Sequence, residues 1–214
     1  MYKRQVCGGK IDKEFGLNEI KTDGIDAIIA ADSGMDFLYE NGVTPDIIVG
    51  DFDSATTNAL EYFERKGQTE IRRLNPIKDD TDTEYAIRLA ISEGARSIVV
   101  LGATGSRIDH VLGNISLLGI GLESGTDICI IDTNNRIRMA DKPVTIEKSA
   151  QYGRFVSLIA VTDDNEVSLK GFKYPVTDYS FDRFTSLGIS NEIVDDQAVV
   201  DIHRGKFIII ESKD

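Results

Sequence analysis

The apolar run Ile47-Ile48-Val49 ends abruptly in Gly50-Asp51-Phe52-Asp53-Ser54. Such a run reads as a buried strand, and side chains two apart on extended backbone point the same way. Asp51 and Asp53 are therefore expected to converge at the strand's carboxyl end, where open α/β sheets hold their ligands. Two carboxylates that close repel unless a cation sits between them. A hard divalent ion with oxygen ligands, magnesium above all, is the economical partner. The alternative is a solvated turn, since Asp and Ser are also ordinary turn residues.

The same succession of apolar run, polar junction and helical pattern fills the first 131 residues. Val6-Cys7-Gly8-Gly9 reads as a strand running into a glycine turn, and residues 10–24 as room for a short helix. Strands are expected over 25–31, 46–49, 70–74, 97–101 and 126–131. Helices are expected over 35–41, 55–66, 80–93 and 107–120, the first capped by Asp32 or Ser33. The inner stripe of the last is Ile108, Val111, Leu112, Ile115 and Leu118. Strand–helix alternation of this kind predicts an α/β fold with a doubly wound, mostly parallel sheet.

Beyond residue 133 the helical period disappears. Strands are expected over 136–140, 144–149, 154–161, 166–170, 189–194, 197–203 and 206–211, divided by Gly, Pro and Asp turn signals. This half reads as a small antiparallel sandwich or barrel. Two domains are expected, 1–133 and 140–214, with the boundary near 133–142.

Composition narrows the partners. The net charge of -12, from 24 basic and 36 acidic side chains, argues against nucleic acid or an anionic membrane as a partner. No apolar stretch reaches the length of a membrane span, and the N-terminus lacks the apolar core of a signal peptide. The two cysteines, Cys7 and Cys129, lie in apolar surroundings and read as core residues in a reducing compartment. A cytoplasmic location is expected.

Four polar groups fall at strand-to-helix junctions: Asp32-Ser33-Gly34, Asp51-Phe52-Asp53-Ser54, Lys78-Asp79-Asp80-Thr81-Asp82, and the segment Gly102 to His110. In a parallel sheet all four open on one rim. Capping accounts for one or two of the aspartates at 79–82, since acidic residues are favoured at a helix start whatever their function. A third is better used as a metal ligand, and Asp82 is the candidate. Lys78 offers a point charge to phosphate, or is a surface lysine. The Gly102–Gly105 turn would present unpaired N–H groups to an anion, and Arg107 a rigid fork suited to phosphate. Arg107, His110 and Asn114 fall off the apolar stripe, and Asp109 with His110 forms a candidate base and orienter pair. His203 reads as structural or exposed. Carboxylates, few cations and a glycine turn at a helix start together suggest metal-assisted phosphoryl chemistry.

Taken together, ADSG at 31–34, PDIIVGDFDS at 45–54, KDDTD at 78–82, GATGSRIDHVLGNISLL at 102–118 and GISNE at 188–192 resemble the thiamine pyrophosphokinase family. The resemblance spans nearly the whole chain. It implies an N-terminal α/β catalytic domain, a C-terminal β-sandwich that helps bind thiamine, and a homodimer whose active sites are shared between subunits. It implies transfer of a pyrophosphoryl group from ATP to the hydroxyl of thiamine, giving thiamine diphosphate and AMP. Asp51, Asp53 and Asp82 then look like magnesium ligands, supported by Asp79. Asp32, Lys78, Thr104 and Arg107 resemble the nucleotide and phosphate region. Asp109 looks like a residue near the substrate hydroxyl or the metal, and Ser190 and Asn191 match the thiamine motif. Some relatives stack a tryptophan on thiamine. This chain has none, which leaves Tyr174, Tyr179, Phe181 and Phe184 as substitutes. Ser106 stands where many relatives carry glycine. Two rival readings are a pyrophosphokinase for a pterin alcohol, which would share only the first half, and a nucleotide sensor without turnover.

Overall fold

The computed structural model describes residues 1–52, 57–75 and 79–214, and the chain divides into two compact units, Met1–Thr133 and Asn134–Asp214. In the first unit the order is β1 (Tyr2–Val6), α1 (Lys13–Ile20), β2 (Ala27–Ala31), α2 (Gly34–Glu40), β3 (Ile47–Gly50), α3 (Thr57–Lys66) and β4 (Glu70–Arg73). There follow α4 (Asp82–Ser92), β5 (Ser97–Leu101), α5 (Ile108–Ser116), α6 (Leu118–Ser124) and β6 (Asp127–Ile131). All six strands run parallel, side by side in the order β6-β5-β1-β2-β3-β4. The chain therefore winds outward from β1 to β4, then returns to the other side of β1. Right-handed crossovers place α1 to α3 on one face and α4 to α6 on the other. Side chains alternate accordingly. Ala30 and Ile48 join Met35, Leu38, Ala59 and Phe63 in one apolar cluster, every one fully buried. The neighbouring Ile29, Val49, Ile98 and Val100 point to the face that holds Ala86, Ile87 and Ala90 of α4.

Local chemistry sets the helix starts. Asp12 caps α1, its carboxylate accepting from the Phe15 N–H at 2.9 Å. Thr81 caps α4, its hydroxyl accepting from the Glu84 N–H at 3.2 Å. The cap at this junction thus falls on a threonine and on none of the aspartates beside it. Ser33 stands at the N-cap position of α2 but makes no side-chain cap bond.

Two expectations need correction. The 107–120 helix is two segments, interrupted at Leu117, whose φ of -63° and ψ of -18° are those of a 3-10 turn. Its expected inner stripe is not inside. Ile108 is 65% and Leu112 60% exposed, Val111 and Ile115 are half-buried, and only Leu118 is buried. Periodicity identified an apolar face, but nothing in the first unit covers it among the described residues.

The second unit runs β7 (Asn135–Ala140), β8 (Val144–Glu147), a 3-10 turn (Lys148–Ala150), β9 (Phe155–Ala160), β10 (Glu166–Lys170), β11 (Val176–Ser180), β12 (Asn191–Glu192), β13 (Gln197–Arg204) and β14 (Phe207–Ser212). Antiparallel pairings join β12-β9-β14-β7 in one sheet and β11-β10-β13-β8 in the other. Inward residues of both form one core: Val156, Leu158, Phe207 and Ile209 from the first, Val167, Leu169, Ala198 and Val200 from the second. That is a sandwich. Strand β11 was not expected from sequence, because VTDYS carries no buried residue and follows Pro175. The expected 189–194 strand shrinks to two residues, since Ser190 holds φ 60°. Glu211 is fully buried and held by Arg136, at 2.6 Å, and Arg138, at 3.1 Å.

Candidate active site

The first unit's winding reverses between β1 and β5, whose following loops lead to opposite faces of the sheet. A crevice opens there beyond the carboxyl ends of the strands. The loops that flank it approach very closely. The Gly9 N–H donates to the Gly102 carbonyl at 2.8 Å. A Cβ on Gly9 would lie 2.3 Å from that oxygen, and one on Gly102 would lie 2.3 Å from the Cys7 carbonyl. Gly102 also has φ 68°, so only glycine fits without strain. The resulting cleft of about 870 Å³ is lined by Gly8, Gly9 and Lys10 after β1, by Asp32 and Ser33 after β2, and by Thr81 and Asp82 at the start of α4. Thr104, Arg107, Asp109, His110 and Asn114 complete its wall.

Asp32, Asp51 and Asp82 each bring a carboxylate oxygen into one group, all within 4.8 Å of one another and half-buried. The elements explain the convergence. Asp32 and Asp51 follow adjacent parallel strands, with Ala31 opposite Val49 in the register, and the Asp32 N–H donates to the Val49 carbonyl at 2.8 Å. Asp82 opens α4. Its place is set from below by Gln5 on the central strand, whose buried amide donates to the Thr83 carbonyl at 3.0 Å. The Thr83 hydroxyl also reaches the buried Cys7 thiol at 3.5 Å. Burial pushes that thiol's pKa up. Three hard oxygens in so small a space suit a divalent cation of the magnesium type.

Asp32, which the resemblance places in the nucleotide and phosphate region, also brings an oxygen into this group. Asp53 and Lys78 lie outside the described residues. Phe52 has φ 63°, so the backbone is not extended at that residue. Asp79 is exposed in the bend before α4.

On the opposite wall the Arg107 guanidinium grips Asp109 through Nη2 at 2.6 Å and Nε at 3.3 Å. Both side chains are largely exposed. The hydrogen bond from Arg107 holds the Asp109 carboxyl below the usual range and raises Arg107 in turn. Asn114 is less a wall residue than a brace: its amide donates to the Ala103 carbonyl at 2.8 Å and fixes the 102–105 turn. The Thr104 hydroxyl donates to Asp132 at 2.8 Å. Lys10 and Asp132 escaped the sequence reading. Gly8-Gly9-Lys10 directly after a strand was a usable signal for the first; nothing local marks the second.

In the second unit Asn191 is buried, and its amide is used internally. Its oxygen accepts from the Tyr174 N–H at 3.0 Å and the Glu192 N–H at 2.9 Å, and its nitrogen donates to the Tyr174 carbonyl at 2.9 Å. Ser190 is exposed, its backbone N–H donating to the Ser157 hydroxyl at 3.0 Å. Phe181 is 3% exposed and packs edge-on against Tyr179 and Phe207, which makes it a core residue rather than a stacking platform. Tyr174, Tyr179 and Phe184 remain exposed. His203 is structural, bonded to the Ser168 hydroxyl at 2.9 Å.

A doubly wound unit with a carboxylate cluster and a glycine turn on one rim, followed by a β-sandwich, defines a class: two-unit α/β proteins with a ligand crevice at the carboxyl ends of a parallel sheet. Two family models match the chain. The thiamin pyrophosphokinase catalytic domain covers residues 21–130, and the family's vitamin B1 binding domain covers residues 143–207. A thiamine pyrophosphokinase of Bacillus subtilis is 34% identical over 188 residues, 87% of each chain. The crystal structure of a Bacillus subtilis thiamine pyrophosphokinase superposes with a TM-score of 0.88 at 31% identity, covering both chains fully. That of Geobacillus thermodenitrificans gives 0.87 at 29%, covering 100% of this chain and 98% of the other. The chain belongs to the thiamine pyrophosphokinase family.

Proposed function

We propose that this chain transfers the pyrophosphoryl group of ATP to the hydroxyl of thiamine, giving thiamine diphosphate and AMP, and that it depends on magnesium. The observation that carries the reading is the meeting of Asp32, Asp51 and Asp82 oxygens within 4.8 Å in the part of the chain that matches the family's catalytic model. Asp53 is proposed as a further ligand and Asp79 as a support. Asp32, Asp51 and Asp82 would hold magnesium, which when bound would offset the negative charge that develops during transfer.

The chain's own groups do the rest. The N–H groups of the 102–105 turn and the guanidinium of Arg107 hold phosphate oxygens, Arg107 exchanging Asp109 for the nucleotide. Lys78 and Lys10 offset the remaining phosphate charge, and Thr104 contributes to the nucleotide site. Asp109, once released, holds the thiamine hydroxyl through its proton. The hydroxyl oxygen bonds to the β-phosphorus as its proton passes to Asp109 or Asp53, while the bond from the β-phosphorus to the α,β-bridging oxygen breaks and AMP leaves with the bridging oxygen. Ser190 contacts thiamine, and Asn191 shapes the loop that carries it. The permanent positive charge of thiamine suits an acidic site. A net charge of -12 argues against nucleic acid or an anionic membrane surface as a major partner.

A homodimer with active sites shared between subunits is part of the proposal, favoured by the uncovered Ile108 and Leu112 beside the cleft. A reducing, cytoplasmic location fits a chain in which no disulfide joins Cys7 and Cys129. The test is an assay with ATP, magnesium and either thiamine or a pterin alcohol, separating AMP from ADP. AMP formed with thiamine alone is the expected result. ADP would mean single-phosphoryl transfer, AMP with the pterin alcohol a different acceptor, and no product a binding protein; each overturns the reading.

A further inference from the structure

Resting on the nucleotide reading above, we propose that Thr104 and Asp132 together recognise a ribose hydroxyl of the nucleotide, Thr104 as the contact and Asp132 as the positioning residue. Thr104 lines the cleft, and its hydroxyl donates to Asp132 at 2.8 Å across 28 residues of chain. A threonine hydroxyl has one proton and two lone pairs, and a carboxylate accepts only. With its proton committed to Asp132, Thr104 offers the cleft lone pairs and nothing else. Phosphate oxygens are acceptors too, so the Thr104 hydroxyl is no phosphate ligand. The ligand atom opposite it carries a proton to give.

Topology says which proton. Strand β5, the 102–105 turn, α5 with α6, and β6 form one β-α-β unit, and Asp132 is the first residue after β6. Val100 lies opposite Ile130 in the parallel register, so Gly102 and Asp132 each stand two residues past that pair. A glycine turn after the first strand and a carboxylate after the second is the layout by which dinucleotide-binding β-α-β units hold phosphate and ribose respectively. The full G-x-G-x-x-G fingerprint is not present here, since only Gly102 and Gly105 punctuate the turn. What carries over is the geometry of two neighbouring strand ends, one facing phosphate and the other, one sugar away, facing hydroxyls.

The test is titration calorimetry of the full chain with magnesium and, in turn, ATP, 2′-deoxy-ATP, 3′-deoxy-ATP and inosine triphosphate, without thiamine. One of the two deoxynucleotides is expected to bind about 5- to 20-fold more weakly than ATP. That penalty should shrink below about 2-fold in Thr104→Val and in Asp132→Ala, and return in Thr104→Ser. Because it is a ratio within each variant, a general loss of structure does not reproduce it. Equal binding of ATP and both deoxynucleotides, a penalty retained in the variants, or a penalty with inosine triphosphate alone would overturn the assignment. Failure of all four nucleotides to bind would instead overturn the nucleotide reading, and this inference with it.

Discussion

Asp32 and Phe52 hold φ values of 47° and 63°, at the carboxyl ends of two adjacent strands. Aspartate tolerates that region; phenylalanine in it costs roughly 1–2 kcal/mol. Strain of this kind gathers where backbone is bent to aim side chains, and here it accompanies three converging carboxylates. Asp51→Asn should lower turnover by about 100-fold or more. Without magnesium the same change should leave the melting temperature unchanged or raise it, because it removes one of three mutually repelling charges. A clear fall in the metal-free melting temperature would mean that Asp51 is chiefly structural. Across the cleft, Arg107 lowers the Asp109 pKa. The folded value lies below the unfolded one, so the stabilising effect is present above the ordinary carboxylate range and is lost as pH falls through the folded value. An NMR titration should find Asp109 ionised at lower pH than an ordinary aspartate, and Arg107→Gln should bring it back up. No change in that variant would break the link between them.

Elements differ in how much of them the sequence could fix. Strand β5 coincides with its expected range, Ser97–Leu101, because a continuous apolar run bounded by turn residues has one reading. Helix α5 was foreseen as an amphipathic helix and placed the wrong way round. Its apolar face, with Ile108 and Leu112, is open, and its polar Asn114 turns inward to brace the glycine turn. An amphipathic pattern states that a face needs cover, without saying whether sheet or a second subunit supplies it. Leu112→Asp should therefore change monomer stability by less than about 0.5 kcal/mol. It should halve the mass seen by sedimentation equilibrium. A dimer that persists in that variant would rule this face out as the interface. Strand β11 shows the opposite failure: its five residues are exposed or half-buried, so no alternation marked it, and only pairing with β10 makes it a strand.

At the scale of the molecule the proposed ligands act as stabilisers. Anything that binds only the folded chain raises its stability by mass action, by about 2.7 kcal/mol at one hundred times its dissociation constant. ATP with magnesium should raise the melting temperature by a few degrees, and ATP with a chelator by much less. Equal shifts with and without the metal would sever nucleotide binding from the carboxylate cluster. On the proposed reading, a shift with thiamine alone would test the roles given to Asp109 in the first unit and to Ser190 and Asn191 in the second.

Two things were settled by the order of residues. One is the change from strand–helix alternation to strands alone near residue 133, which follows from the period of the apolar positions. The other is the set of polar junctions at strand ends, which a parallel sheet must bring to one rim. Folding in three dimensions decided the rest. Asp32 joins Asp51 and Asp82 because β2 and β3 are neighbours and α4 begins beside them; spacing along the chain contains no such distance. Asp132 reaches Thr104 for the same reason. Local sequence specifies period and turn, but the approach of groups tens of residues apart depends on which strands pair and what each face must cover.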